Sequence, residues 1–490
     1  MTEVEGVEVP TEHYIDGHRV ASADTFEVRS PIDWADWKLA DVARGGAAEV
    51  DAAVAAARRA FPAWAALGPG GRHAALSRLA DAIDAAVPRL AAVECVDNGS
   101  IHEAMEQRVL PRAANNVRFF ADYAAERLAE PPRTLHGGER NRVRHDPAGV
   151  VAVSTPWNAP FMLATWRVGP ALAAGNTVVL KPPEWAPLTC SLLGDLADEA
   201  GLPPGVLNVV HGTGAEAGAP LTGHPGVDRV AFTGSPATAH VVYRDAAAQL
   251  TPVSFELGGK SPFIVFEDAD LDAAVRTAAY QFDNSGQVCL AGTRLLVQRS
   301  ILDEFLERLR AAADEIAVGD PREAGTTYGP LIHPVALGRV TGHVARAREQ
   351  GARLVFGGES LGGLYYAPTL FTDIPADAEI LQREVFGPVL TLQAFADEAE
   401  AVALANGTDY GLAATIYTGD AARADRVSGA VVAGTVWVNC FYVRDLETPF
   451  GGARDSGIGR EGGHHSFDFY CDVKTVCERT ALYAGEGGTP

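Results

Sequence analysis

Between about residues 47 and 128 the apolar positions recur at helical spacing, as in "AAEVDAAVAAARRAFPAWAAL" and "RHAALSRLADAIDAAVPRLAAVE". That period predicts packed amphipathic helices, although the alanine content gives the stretch a low-complexity look. After "PPRTLHGGERNRVRHDPAG" the pattern changes. Short apolar runs with strand character now alternate with helical segments: "VVAVSTPW", "NTVVLKP", "GVLNVVHG", "RVAFTGS", "VSFELGG" and "PFIVFED". This rhythm predicts βαβ units and a mostly parallel sheet covered by helices. A second alternating set follows residue 289, with strands "RLLVQ", "ARLVFGG", "TLQAF", "AATIYTG" and "GTVWVN" and the helix "SILDEFLERLRAAADEI". A second α/β domain is therefore expected. No internal repeat with a period of about 20–50 residues is visible. The tail "TALYAGEGGTP" is expected to be loose or to lie on a neighbouring subunit.

The chain has 490 residues, too many for one core, so about two or three domains are expected. Its 47% apolar and 21% charged residues are ordinary for a globular protein. The net charge of −23 argues against nucleic acid, which needs a basic stripe, and against an anionic membrane. The opening "MTEVEGVEVPTEHY" has neither a basic end nor an apolar core, so no leader peptide is expected. No apolar run reaches the ~18 residues of a bilayer span. Six cysteines in so long a chain do not make a disulfide scaffold, and a reducing cytoplasm fits them best. There is no CxxC and no HExxH, so no metal is expected.

Cys289, in "QFDNSGQVCLAG", has small neighbours on both sides. They allow a substrate to reach the sulfur and leave backbone N–H groups free for an oxyanion. Cys190, Cys440, Cys471 and Cys477 lie beside apolar or aromatic residues and read as inert packing. Glu256, in "VSFELGGKSP", ends an apolar run, where burial would raise its pKa and make it a general base; an ion pair with Lys260 is the plain alternative. Asn158, in "STPWNAP", offers an amide to an oxyanion, or else forms a turn. Gly212, Gly214 and Ala217 in "NVVHGTGAEAG" form a weak dinucleotide fingerprint. Gly234 and Ser235 lie between a strand and a helix start, a second place for a pyrophosphate. Lys181 and Glu184 in "VVLKPPEWAP" are candidates for ribose hydroxyls. Taken singly, each of these also reads as turn chemistry or solvated charge.

In their order and intervals, "PWN", "KPPE", "FTGS", "FELGGKSP", "GQVC" and "EVFGP" resemble the aldehyde dehydrogenase superfamily, from about residue 12 to residue 480. The resemblance implies an α/β fold with two Rossmann-type domains and a small β oligomerisation flap. The NAD-binding domain would take residues 1–127 and 148–257, the catalytic domain 258–455, and the flap 128–147 and 471–490. Homodimers or homotetramers are implied. So is a mechanism: Cys289 as nucleophile, Asn158 and the Cys289 N–H as oxyanion donors, and Glu256 as the base that hydrolyses the thioester. Lys181 and Glu184 would hold the adenosine ribose, Glu384 the nicotinamide ribose with Phe386 and Trp157 nearby, and Gly234 and Ser235 the pyrophosphate; Gly212 contributes less. Glu184 would repel a 2′-phosphate, which favours NAD over NADP.

The segments "APFMLATW", "LPRA" and "VRDL…PFGG…SGIGREGG" look like bacterial dehydrogenases of 5-carboxymethyl-2-hydroxymuconate and 2-hydroxymuconate semialdehydes, enzymes of aromatic catabolism. On that likeness Arg112 and Arg444 would meet a substrate carboxylate, with Met162, Trp166 and Asp283 along the channel. Glu447 stands where that subgroup has a basic residue, which leaves a smaller substrate such as succinic semialdehyde open. Two other functions are weighed. A coenzyme A-dependent acylating enzyme typically lacks the Glu256 base. A non-catalytic protein of this fold has no need of Cys289, Glu256 and Asn158 together.

Overall fold

The computed structural model describes residues 1–128, 133–134 and 139–479. The helical stretch forms helices Ala47–Ala66, Gly68–Asn98 and Leu110–Glu126. The second ends at Gly99, whose φ of +79° is the left-handed stop that glycine takes without strain. A π-helical turn, Met105–Val109, leads into the third. Among the described residues no helix is long and apolar enough to cross a membrane.

The alternating segments build two sheets. In the first, the parallel strands are ordered Val253–Glu256, Arg229–Thr233, Val150–Ser154, Thr177–Lys181 and Leu207–Val209. Gly457–Ile458 adds an antiparallel edge at one side, and His13–Ile15 with His18–Val20 at the other. Val150–Val153 and Thr177–Lys181 are buried throughout, as expected of strands covered on both faces. Sequence order reverses at Val150–Ser154, so the crevice beyond the strand ends there is the place for a ligand.

The second sheet has seven strands, in the order Arg353–Phe356, Thr369–Thr372, Val389–Phe395, Arg294–Gln298, Pro262–Val265, Ala413–Tyr417 and Thr435–Val438. All pair in parallel except Arg353–Phe356. The rhythm of runs alone groups Pro262–Val265 with the first set, whereas the 258–455 boundary expected from the resemblance groups it with the second; it pairs with Arg294–Gln298 and Ala413–Tyr417. The turn through Gly258 and Gly259 carries the chain from one sheet to the other.

Strand Arg140–Pro147 pairs antiparallel with Cys471–Glu478, and Arg133–Thr134 adds a short third strand. Of the expected flap, residues 129–132, 135–138 and 480–490, the tail included, lie outside the described residues. The expected packing of Cys477 is corrected. It is exposed, because Cys471–Glu478 leaves most of its side chains to solvent, whereas Cys95, Cys190 and Cys471 are buried.

Candidate active site

The C-terminal ends of the first sheet's strands face the segments that lead into the second sheet. Between them lies a cavity of about 610 Å³ lined by Trp157, Asn158, Met162, Trp166, Gly234, Ser235, Glu256, Asp283, Cys289, Glu384, Phe386, Arg112 and Arg444. Thirteen of the sixteen residues singled out from the sequence thus share one space. The other three, Lys181, Glu184 and Gly212, are not among its lining residues.

The loop before Cys289 is held in an unusual conformation. Asn284, Ser285 and Gly286 have φ of +51°, +56° and +67°. The left-handed region costs a non-glycine residue roughly 1–2 kcal/mol, so the surroundings must impose it. Asn284 donates to the Asn158 carbonyl at 3.2 Å and accepts from Ser100 Oγ at 3.2 Å. Ser285 Oγ donates to Gly329 O, and Ile332 N donates to the Gln287 amide oxygen at 3.0 Å. Gly286 has no room for a side chain, since a Cβ there would collide with the Gly387 carbonyl.

Cys289 is partly buried. Burial pushes its thiol up to about 12, and the nearby Glu384 and Glu256 carboxylates add to this, while the Leu290 and Cys289 backbone N–H groups favour the ionised sulfur. Asn158 Nδ2 donates one hydrogen to Gln287 O at 2.9 Å. A carboxamide carries a second donor hydrogen, so the side chain is fixed and still has one to give.

Glu256 closes its strand at 7% exposure, and its Oε2 has no hydrogen-bond partner. Burial raises its pKa to about 8, against the pull of the Arg167, Arg444 and Arg460 cations. Lys260 is not among its hydrogen-bond or ion-pair partners. Lys260 Nζ is buried without a hydrogen-bond partner among the described residues, and desolvation lowers its pKa to about 7. Behind Glu256 lies a pair that the sequence reading missed: fully buried Arg167 bonded to fully buried Glu461. Arg167 also donates to Ser254 Oγ at 3.0 Å and Thr233 Oγ1 at 3.1 Å.

Glu384 accepts from Gly259 N at 2.9 Å, and burial raises its carboxyl to about 7. A Cβ at Gly258 would collide with that carboxylate. Phe386, at φ +53°, meets Trp157 edge to face at 5.4 Å between centroids. At Gly234 a Cβ would stand 2.6 Å from the Phe232 ring. Ser235 caps helix Pro236–Ala247 by accepting from Thr238 N. Lys181 Nζ donates to Pro182 O at 2.8 Å and lies 3.9 Å from Glu184, whose carboxylate accepts from Gly214 N at 3.0 Å. Gly212 does not open a long helix. It is wedged against Gly45, whose carbonyl would be 2.7 Å from a Cβ, and only a π-turn and a four-residue helix follow.

Burial, with the Arg112 charge next, lowers the Arg444 pKa to about 10. Arg444 Nη2 is buried without a hydrogen-bond partner. Its Nη1 donates to the backbone carbonyl of Asp445 at 3.3 Å. Glu447 is drawn away to Arg127. The sequence reading missed further cavity-lining cations, Arg108, Arg339, Arg346 and Arg383. Arg108 lies 3.7 Å from Asp283 and over the Tyr280 ring. It stands one helical turn before Arg112 in sequence, a spacing that could have flagged it.

The aldehyde dehydrogenase family pattern matches residues 19–476. The chain is 44% identical over 480 residues to a 2-hydroxymuconic semialdehyde dehydrogenase of Pseudomonas sp. strain CF600, covering 95% of this chain and 98% of that one. It is 37% identical to the mouse 2-aminomuconic semialdehyde dehydrogenase, covering 96% of each chain. Among solved structures, an indole-3-acetaldehyde dehydrogenase of P. syringae in complex with NAD+ superposes with a TM-score of 0.94 at 38% identity, covering 97% of this chain and 98% of that one. Fold, family pattern and full-length identity agree: the chain belongs to the aldehyde dehydrogenase family and is an oxidoreductase of aldehydes.

Proposed function

We propose that this enzyme oxidises a carboxylate-bearing semialdehyde of the muconic type to the acid, with NAD as oxidant. The observation that carries the substrate class is the Arg112–Arg444 pair in the cavity that holds Cys289, with Arg444 Nη2 lacking a hydrogen-bond partner among the described residues. A buried guanidinium N–H left unbonded is costly, and a planar carboxylate is its natural complement. The named muconic semialdehyde relatives support the same class. NAD is supported by the neighbour solved with it.

The residues present fit that cofactor. Ser235 and the N–H groups at the start of helix Pro236–Ala247 would hold a pyrophosphate, with Gly234, packed on the Phe232 ring, shaping the turn before it. Lys181 and Glu184 would take the adenosine ribose, with Gly212 shaping the turn beside it. Glu384 would take the nicotinamide ribose beside Phe386 and Trp157. NAD supplies the hydride acceptor. The rest of the chemistry belongs to the protein. The Cys289 thiolate adds to the aldehyde carbon and makes it tetrahedral and anionic. The free Asn158 N–H and the Cys289 N–H stabilise the oxyanion. After oxidation a thioester remains on Cys289. Glu256 takes a proton from the attacking water, and the acid leaves with the thiolate restored. The buried, unpartnered Glu256 oxygen supports hydrolysis over transfer to coenzyme A.

We assign residues 1–127 and 148–257 to the NAD-binding unit, 258–455 to the catalytic unit, and 128–147 with 471–490 to a flap that joins copies of the chain into a homo-oligomer in the cytoplasm. The deciding assay is NADH formation at 340 nm. It compares 2-hydroxymuconic semialdehyde, succinic semialdehyde and neutral aldehydes of equal length, with and without coenzyme A. Equal kcat/KM for neutral and carboxylate substrates, or an absolute need for coenzyme A, would overturn the proposal.

A further inference from the structure

Outside the cavity, three metal-ligating side chains converge from two elements. His145 lies on strand Arg140–Pro147, and His464 and Asp468 lie one turn apart on helix Gly463–Tyr470. His464 Nε2 is 3.4 Å and His145 Nε2 3.9 Å from Asp468 Oδ1. One donor atom from each of the three lies within 4.8 Å of the others. The imidazole rings meet edge to face at 5.0 Å between centroids. The His145 side chain is 3% exposed, whereas those of His464 and Asp468 are 35% and 52% exposed. The cluster is therefore anchored on its inner side and open to solvent on the other.

We propose that His145, His464 and Asp468 form a site for a divalent transition-metal ion of the zinc type, separate from the active site. The donor set, two imidazole nitrogens and one carboxylate oxygen, is one that zinc accepts. Bonds of about 2.0–2.2 Å in tetrahedral array put ligand atoms roughly 3.3 Å apart, so the His464–Asp468 spacing already fits. The other spacings close with small side-chain rotations, because two of the three residues are on the surface. Water would fill the fourth position. No local motif announces such a site, because the chain lacks CxxC and HExxH and one ligand comes from a strand far away in the sequence. An ion there would pin the strand Arg140–Pro147, paired with Cys471–Glu478, to the helix that runs directly into that partner strand.

The test is titration of the full-length protein with Zn²⁺ by calorimetry and with Co²⁺ by visible absorption. The unaltered protein is compared with His464→Ala, Asp468→Asn and Cys289→Ser. Asp468 is exposed and His464 half-buried, and far-UV circular dichroism of each of these two variants checks that it is folded before titration. The expected result is one ion per chain, tetrahedral cobalt bands without sulfur-to-metal charge transfer, and at least ~100-fold weaker binding in each of those two variants, a loss at or beyond the effect of outer-shell changes. Binding should be unchanged in Cys289→Ser. No binding below about 1 mM, binding that survives both the His464 and the Asp468 substitutions, or binding that Cys289→Ser abolishes would each overturn the site.

Discussion

The guanidinium of Arg444 lies over the Phe450 ring at 4.1 Å from its centroid, and also over Trp166 at 4.9 Å. Stacking holds the cation in place by its faces, which leaves its N–H edge for a ligand. A charge-assisted contact with a substrate carboxylate is worth about 1.5–3 kcal/mol, or roughly 10- to 150-fold. Arg444→Ala and Arg112→Ala should each lower kcat/KM by that factor for an ω-carboxylate aldehyde and leave a neutral aldehyde of equal length nearly unchanged. Arg444→Lys should recover little, because lysine has no planar fork. Equal small losses on both substrates would remove the arginines from carboxylate recognition.

Glu256 must lose its proton before it can act as a base. With its pKa raised to about 8, hydrolysis of the thioester should climb with pH through that value and level off above it. Glu256→Gln should lower turnover about 100- to 10,000-fold and leave an acyl adduct on the Cys289 peptide, visible by mass spectrometry. A flat pH profile, or an unaltered rate in the variant, rules the role out.

Cys289 carries the opposite problem. Its thiol, pushed up to about 12, is almost wholly protonated near neutrality without cofactor. Alkylation by iodoacetamide should be slow at pH 7 and rise about tenfold per pH unit. NAD, whose oxidised nicotinamide is cationic, should speed it. Of alanine substitutions at the six cysteines, only Cys289→Ala should abolish NADH formation. Residual turnover near the native rate in that variant would end the mechanism.

Arg167 and Glu461 are both fully buried. Removing one partner strands the other charge, which costs about 3–5 kcal/mol. Arg167→Met should show this loss in urea unfolding. Because the Arg167 charge also holds the Glu256 pKa down, the pH midpoint of hydrolysis should move up in the same variant. A stable variant with an unmoved midpoint would contradict the arrangement.

The parallel sheets were legible because both-face burial writes them as unbroken valine-rich runs such as "NTVVLKP". The rhythm of runs alone did not say which sheet each joins, since Pro262–Val265 follows its predecessor closely in sequence and leaves for the other sheet through two glycines. Cys289, Glu256 and Asn158 were legible as residue types at strand ends and loops. The Arg167–Glu461 pair was not, because its partners lie 294 positions apart and no local pattern marks a contact so distant. Nor was the outward face of Cys477, which depends on what covers its strand.

One contact outside the cavity joins two of the segments that line it. Arg127, at the end of the helix that carries Arg112, bonds Glu447 in the loop that carries Arg444. These two cavity-lining arginines thus sit on separate segments, a helix and a loop, that meet again at the surface. Both side chains of the Arg127–Glu447 pair are about half exposed, so the tie is a weak, salt-sensitive one, and the helix and the loop are fastened to each other at the surface rather than through the cavity.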